Sequence, residues 1–146
     1  MQIEVRIDPD CQKTKIIIVT KEVDQKINDL VKKIEDVQPK VIAGFKDDRV
    51  EILKPDDIYR IYASNGKVFV ETDKDDYTLN LRLYEVEQRT DNLKFLRISN
   101  SEIVNLQKVQ NFDLSFTGTI CVKLLNGTTT YASRRYVSKV KKVLGI

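Results

Sequence analysis

Histidine is absent from all 146 residues. With it go the Ser–His and Cys–His nucleophile arrangements and any zinc site that needs an imidazole. Glycine is scarce, five in all. Neither G-x-G-x-x-G nor G-x-x-x-x-G-K-[ST] occurs, so no phosphate cradle for a nucleotide cofactor is expected. The two cysteines, Cys11 and Cys121, stand far apart without metal spacing. Both are expected to be free thiols in a reducing cytoplasm. No apolar run reaches the length of about 18 residues that a membrane span needs. The start, Met1-Gln2-Ile3-Glu4-Val5-Arg6, lacks the basic-then-apolar order of a signal peptide. Acidic residues cluster as adjacent pairs, Asp47-Asp48, Asp56-Asp57 and Asp75-Asp76. Such pairs mark solvated turns rather than acid–base machinery. No metal, no cofactor and no enzymatic activity are expected.

What is present reads as globular: 41% hydrophobic and 32% charged residues, enough for one domain and a small appendage. The net charge of +3 is unevenly spread. Residues 97–146 hold eight Lys and Arg against two acids, and residues 1–96 hold 17 against 20. Asymmetry of this kind suits a polyanion partner, or simply a solvated basic face.

Alternating Ile3, Val5 and Ile7 predict a half-buried strand, Asp8-Pro9-Asp10 a turn, and Lys15-Ile16-Ile17-Ile18-Val19 a second strand. Thr20 is placed to cap a helix whose stripe is Val23, Ile27, Leu30, Val31 and Ile34, ending before Pro39. Residues 1–38 therefore read as a small β-β-α unit and residues 39–146 as a separate body. There the pattern turns to short strands near residues 41–45, 49–53, 58–62, 67–71, 77–79, 93–96, 120–125 and 128–131. Asn65-Gly66 and Asn126-Gly127 mark hairpins. A short helix fits residues 82–89. Ser133 is placed to cap a last one with Val137, Val140 and Leu144 on its apolar face. The fold class is mainly β with peripheral helices.

One stretch resists this bland account. Residues 95–105, FLRISNSEIVN, set Arg97, Ser99, Asn100 and Ser101 between apolar segments with no glycine or proline. Asn and Ser commonly satisfy turn backbone. They are also chemically suited to DNA: Asn pairs bidentately with adenine, Arg with guanine, and Ser and Lys suit phosphate. Asn65 and Lys67 lie on a hairpin tip, and Arg134 and Arg135 open the last helix. A cation there opposes the helix dipole, which an anionic ligand would relieve. Lys139, Lys141 and Lys142 are either that helix's wet side or further phosphate contacts.

FLRISNSEIVN resembles the signature of the LytTR family of bacterial DNA-binding domains, roughly F-x-R-x-x-x-S-x-[IV]-V-N. YASRRYVSKVKKVL, residues 131–144, resembles that family's closing strand and helix, and Asp57-Ile58 with Tyr62-Ala63 and Val68-Phe69-Val70 its early hairpin. The resemblance covers about residues 41–146. It implies about ten strands in three small antiparallel sheets, and loops rather than a recognition helix entering successive major grooves of bent DNA. By position, Asn100 and Arg135 are the implied base contacts, with Arg134 the adjacent candidate and Asn65 and Lys67 the nearest match to a third contact. Arg97 is implied at backbone or base; Ser101, Arg134, Lys139 and Lys142 are expected at the DNA backbone. Tyr62 departs from the Glu common in the family.

Thirty-eight residues cannot form the receiver domain that often precedes such domains. The chain thus resembles short stand-alone LytTR regulators, some held in check by a membrane protein. The expectation is a cytoplasmic, response-regulator-like transcription regulator, acting as a homodimer on repeated promoter sites. The N-terminal unit would serve dimerisation or the docking of a membrane-protein inhibitor. The alternative is a protein-interaction module that docks an acidic protein on its basic face.

Overall fold

The computed structural model describes residues 1–35, 41–91 and 94–146. The chain divides into two compact units, Met1–Gln38 and Pro39–Ile146.

The smaller unit contains helix α1, Gln25–Glu35. Ile27, Leu30, Val31 and Ile34 are its partly covered residues, at the helical spacing read from the sequence. Its cap is Asp24, not Thr20: Asp24 Oδ1 accepts the Ile27 N–H at 3.0 Å. The Thr20 hydroxyl instead donates to Glu22 O. The expected helix end near Pro39 lies outside the described residues. The two expected strands do not form; residues 3–7 and 15–19 are irregular. The turn between them does form, with Asp8 accepting from the N–H groups of Asp10 and Cys11. The physical reason is that β-branched residues supply propensity but no partner. A lone two-stranded ribbon hides neither face from water and is marginal.

The larger unit holds ten strands among its described residues. They are β1 (Ile42–Lys46), β2 (Arg49–Leu53), β3 (Ile58–Ser64), β4 (Lys67–Thr72), β5 (Asp76–Leu79), β6 (Phe95–Ser99), β7 (Glu102–Asn105), β8 (Val109–Asp113), β9 (Ile120–Leu124) and β10 (Thr129–Ala132). Helix α2 (Leu83–Arg89) precedes β6 and helix α3 (Arg134–Leu144) follows β10. The mainly β architecture read from the sequence is what forms. Its pairings are antiparallel, in two sheets rather than three: β2-β1-β5-β4-β3-β7-β6 and β10-β9-β8. The count falls because β1 joins β5 through the single register pair Phe45↔Thr78, which fuses the first hairpin to its neighbours.

Two apolar cores lie on either side of the β6–β7 hairpin. Phe95 and Ile103 join Ile58, Ile61, Val70 and Val86 in one. Leu96, Ile98 and Val104 join Ile120, Val122, Leu124 and Val140 in the other. The alternation of a strand explains the split: successive side chains point to opposite faces, and here both faces are covered. Hence the adjacent apolar pairs Phe95-Leu96 and Ile103-Val104 in these strands. Val140 is the buried anchor of α3, with Val137 and Leu144 packed beside it.

Asn105, at the end of the hairpin, is 1% exposed and fully bonded. Its Nδ2 donates to Ile58 O at 2.8 Å and Pro55 O at 3.3 Å, and its Oδ1 accepts from Gln107 N at 3.0 Å. It pins the start of β3 to the end of β7. Asn105→Ala would leave buried carbonyls and an N–H unpaired. It is expected to cost about 1–3 kcal/mol in urea unfolding.

Candidate nucleic-acid interface

The polar run between β6 and β7 is a turn built to do without glycine. Ser99 pairs with Glu102 across it, after a bulge following Arg97. Ser101 N donates to Ser99 Oγ at 3.2 Å, and the two serine hydroxyls lie 3.3 Å apart. Arg97 donates Nε to Ser99 O and a terminal N–H to Asn100 O, both at 2.6 Å. Its other terminal nitrogen pairs with Glu87 of α2. The Arg97 side chain is only 13% exposed. It supports the turn from beneath, with every guanidinium nitrogen engaged. Asn100 and Ser101 stand exposed at the tip.

Two backbone bonds gather the other predicted tips around this one. Ala63 N donates to Ser101 O at 2.8 Å, so the β3–β4 hairpin leaves the sheet at the same end. At its tip Asn65 (φ 51°) and Gly66 (φ 76°) are both left-handed, a conformation that Asn and Gly tolerate best. Asn65 and Lys67 are exposed there. Ser133 N donates to Ile98 O at 2.9 Å, which sets the start of α3 against β6. Ser133 occupies the cap position, although its side chain makes no capping bond; its carbonyl accepts from Tyr136 N at 2.9 Å.

Tyr136 makes the direct link that the sequence left unassigned. Its hydroxyl donates to Asn100 Oδ1 at 3.1 Å, joining α3 to the turn. The residue sits inside the YASRRYVSKVKKVL stretch, but its role depends on a contact 36 residues away. Glu87 was missed for the same reason.

The cations of α3 differ in their surroundings. Arg134 lies over Gly118, with Nε 3.3 Å from where a Cβ would stand. Arg135 is exposed and has no hydrogen-bond or ion-pair partner among the described residues. Lys139 Nζ is 6.0 Å from the Tyr136 ring centre. Lys142 is exposed and lies about 10 Å along the helix from Arg135.

Behind the tips lies a network the sequence reading also missed. Arg60 on β3 donates to Glu71 at 2.5 Å and to Glu102 at 2.6 Å. Glu71 also accepts from Asn126 and Thr128 at 2.8 Å each, and Glu102 accepts from Thr130. In the Asn126-Gly127 turn only Gly127 has positive φ; Asn126 serves through its side chain. Burial alone would raise the Glu71 pKa. The Arg60 guanidinium, with Thr128 and Asn126, outweighs burial and holds it below the ordinary value of 4.5.

A family model described as the LytTr DNA-binding domain matches residues 48–145. The chain belongs to the LytTR family. The family is a DNA-binding one, and the expectation that this chain is not an enzyme holds with it. Similar curated proteins include two from Staphylococcus aureus described as uncharacterized HTH-type transcriptional regulators. One, from strain NCTC 8325, is 28% identical over 147 residues, covering 100% of this chain and 99% of that one. The other, from strain MSSA476, is 34% identical over 105 residues, covering 72% and 71%. Among solved structures, the LytTr DNA-binding domain of a Bacillus cereus protein described as a methyl-accepting/DNA response regulator shares the fold. Its TM-score is 0.70 at 22% identity, over 73% of this chain and 98% of that one. In this LytTR chain no two consecutive described elements are α-helices: five strands separate α2 from α3. No helix among the described residues is long and apolar enough to cross a membrane.

The depressed Glu71 pKa fixes a pH dependence. A carboxyl held below its unfolded value adds stability above that value and loses it as pH falls. Wild-type stability is therefore expected to drop as pH falls below about 4.5. Glu71→Gln should flatten that drop in thermal unfolding followed from pH 6 to about pH 3.

Proposed function

We propose that the chain is a bacterial transcription regulator that reads double-stranded DNA sequence-specifically, two copies on repeated sites, with its loops in successive major grooves. The observation that carries the reading is the meeting of three exposed tips at one sheet end through Ala63–Ser101, Ser133–Ile98 and Tyr136–Asn100. The lack of adjacent helices among the described residues supports loops over a helix-turn-helix.

The roles divide by chemistry. Asn100 reads a base: an amide oxygen accepts two hydrogen bonds, so the Tyr136 contact orients Asn100 without using up its bidentate capacity. Arg135 is the second reader, since a guanidinium with no partner among the described residues suits guanine O6 and N7. Arg134, Lys139, Lys142 and Ser101 face phosphate, and Asn65 and Lys67 make the third contact. Arg97 acts by holding the turn that carries Asn100. A membrane-protein inhibitor acting on the N-terminal unit is a further input such a regulator would accommodate.

The rival is a module that docks an acidic protein, suggested by the basic α3. Gel shifts with a selected fragment and a scrambled one, at rising salt, separate the two. Asn100→Ala and Arg135→Ala are expected to lose about 1–3 kcal/mol of discrimination each while keeping the fold. Lys142→Ala should weaken both fragments alike and lower the salt slope by about 0.9. Wild-type discrimination in both reader variants would overturn the assignment of the reading loops. A weak shift indifferent to sequence in the wild type would favour the rival.

Tyr136→Phe provides a finer check. Losing one neutral hydrogen bond of about 1 kcal/mol should lower affinity for the selected fragment about fivefold and leave the scrambled one unchanged.

A further inference from the structure

We infer that residues 3–7 are a self-pairing strand: two copies of the chain join there, antiparallel, about Val5. This deepens the two-copy reading above and rests on it.

The segment Ile3-Glu4-Val5-Arg6-Ile7 is apolar at alternate positions and carries one acid and one base placed symmetrically about its centre. Antiparallel pairing centred on Val5 sets Ile3 opposite Ile7, and Glu4 opposite Arg6, twice over. A parallel pairing in register would set Glu4 opposite Glu4 and Arg6 opposite Arg6, which is unfavourable. The charges therefore select the antiparallel arrangement, and an isologous two-fold contact requires that the same patch be complementary to itself.

The structure leaves this segment in need of a partner. Ile3, Val5 and Ile7 are 86%, 82% and 89% exposed. Residues 3–7 make no backbone hydrogen bond among the described residues. Among the described residues Glu4 and Arg6 meet only each other, at 3.6 Å and largely exposed, where an ion pair is worth little. A segment of fewer than about 40 residues seldom folds without a metal, disulfide or second chain. The described residues offer no metal cluster and no disulfide.

The chemistry favours a second copy over a different partner. Residues 1–38 hold seven Lys and Arg against eight acids, so two copies meet without net repulsion, and neither an acidic nor a basic surface is specially attracted. Pairing also explains the second apolar stretch. Ile16, Ile17 and Val19, all exposed, flank the central pair on each side and bring the sheet to four strands. Three or more strands with an apolar face are what independent stability needs. The α1 stripe then has an apolar face to cover.

Sedimentation velocity of the full chain without DNA tests this. The wild type should sediment as a dimer at micromolar concentration. Glu4→Arg and Arg6→Glu should each weaken the dimer at least tenfold, because each sets like charges opposite one another. An equimolar mixture of the two variants should recover the dimer, since every new charge then meets its opposite. A monomeric wild type, variants that dimerise as wild type does, or a mixture no tighter than its components would each overturn the proposal. Far-ultraviolet circular dichroism shows whether the variants keep the β body. A footprint over a repeated site keeps the two ideas apart. Occupancy of both repeats by a chain monomeric in free solution overturns this surface alone, whereas a dimer that protects no DNA overturns the DNA reading alone.

Discussion

Arg60 sits in the middle of β3 with a carboxylate on either side, Glu71 of β4 and Glu102 of β7. Those two acids continue outward. Glu71 takes the side chains of Asn126 and Thr128, and Glu102 takes Thr130. One guanidinium thus ties three neighbouring strands of the larger sheet to the last hairpin of the smaller one. Its side chain is 23% exposed and that of Glu102 only 7%. Burial of this kind adds little net stability, because desolvation offsets most of the attraction, but removing one partner strands the others. No buried side-chain nitrogen or oxygen among the described residues lacks a partner. What the network supplies is register: β3, β4, β7 and β10 can slip only by breaking several charged bonds at once.

The β6–β7 turn inherits that fixity. Glu102 is the residue after Ser101, so the network ends where the exposed tip begins. From there the β6–β7 strands run between two apolar cores, with Ile98, Ile103 and Val104 wholly covered. Arg97 then holds two carbonyls of the tip itself. A glycine-rich loop would have to order on meeting a ligand. This one is ordered beforehand by serine hydroxyls and a guanidinium, which lowers the entropy lost on binding. The polar run that looked out of place in a strand-rich chain is the cost of a rigid tip without left-handed residues.

Much of the body was legible because its strands are half-buried and its turns carry Asn-Gly. Residues 67–71 show their faces by alternation, residues 58–62 and 120–125 are rich in β-branched and aromatic or apolar side chains, and the strands form there. Val140 and its neighbours on α3 were legible from helical spacing. What could not be read is whatever depends on a partner distant in sequence. Residues 3–7 and 15–19 have the letters of strands, yet a strand is made by the chain beside it. Thr20 and Asp24 are both good caps, and only the helix start at Gln25 decides between them. Glu87 and Tyr136 belong to the site through contacts that no local pattern reports.

Arg97 and Arg135 show how that blindness affects the candidate site. In the sequence both are cations of the two motifs that carry the family resemblance, and both are implied at DNA. In the fold one is neutralised by Glu87 and spent on carbonyls, and the other, at the start of a helix, has no partner among the described residues. The excess charge of residues 97–146 must be revised accordingly. Lys108 faces Asp73 at 3.8 Å and the Tyr59 ring at 5.0 Å, so it too is partly engaged. The uncommitted charge is then concentrated in α3, whose sequence RRYVSKVKKVL holds five cations and no acid. Its N-terminal end adds the positive pole of the helix dipole. In the proposed DNA reading, long-range attraction and base discrimination therefore reside in different elements: a basic helix draws the polyanion in, and rigid tips beside it test the sequence. The Tyr136 hydroxyl, on that helix and bonded to Asn100, is where the two functions touch.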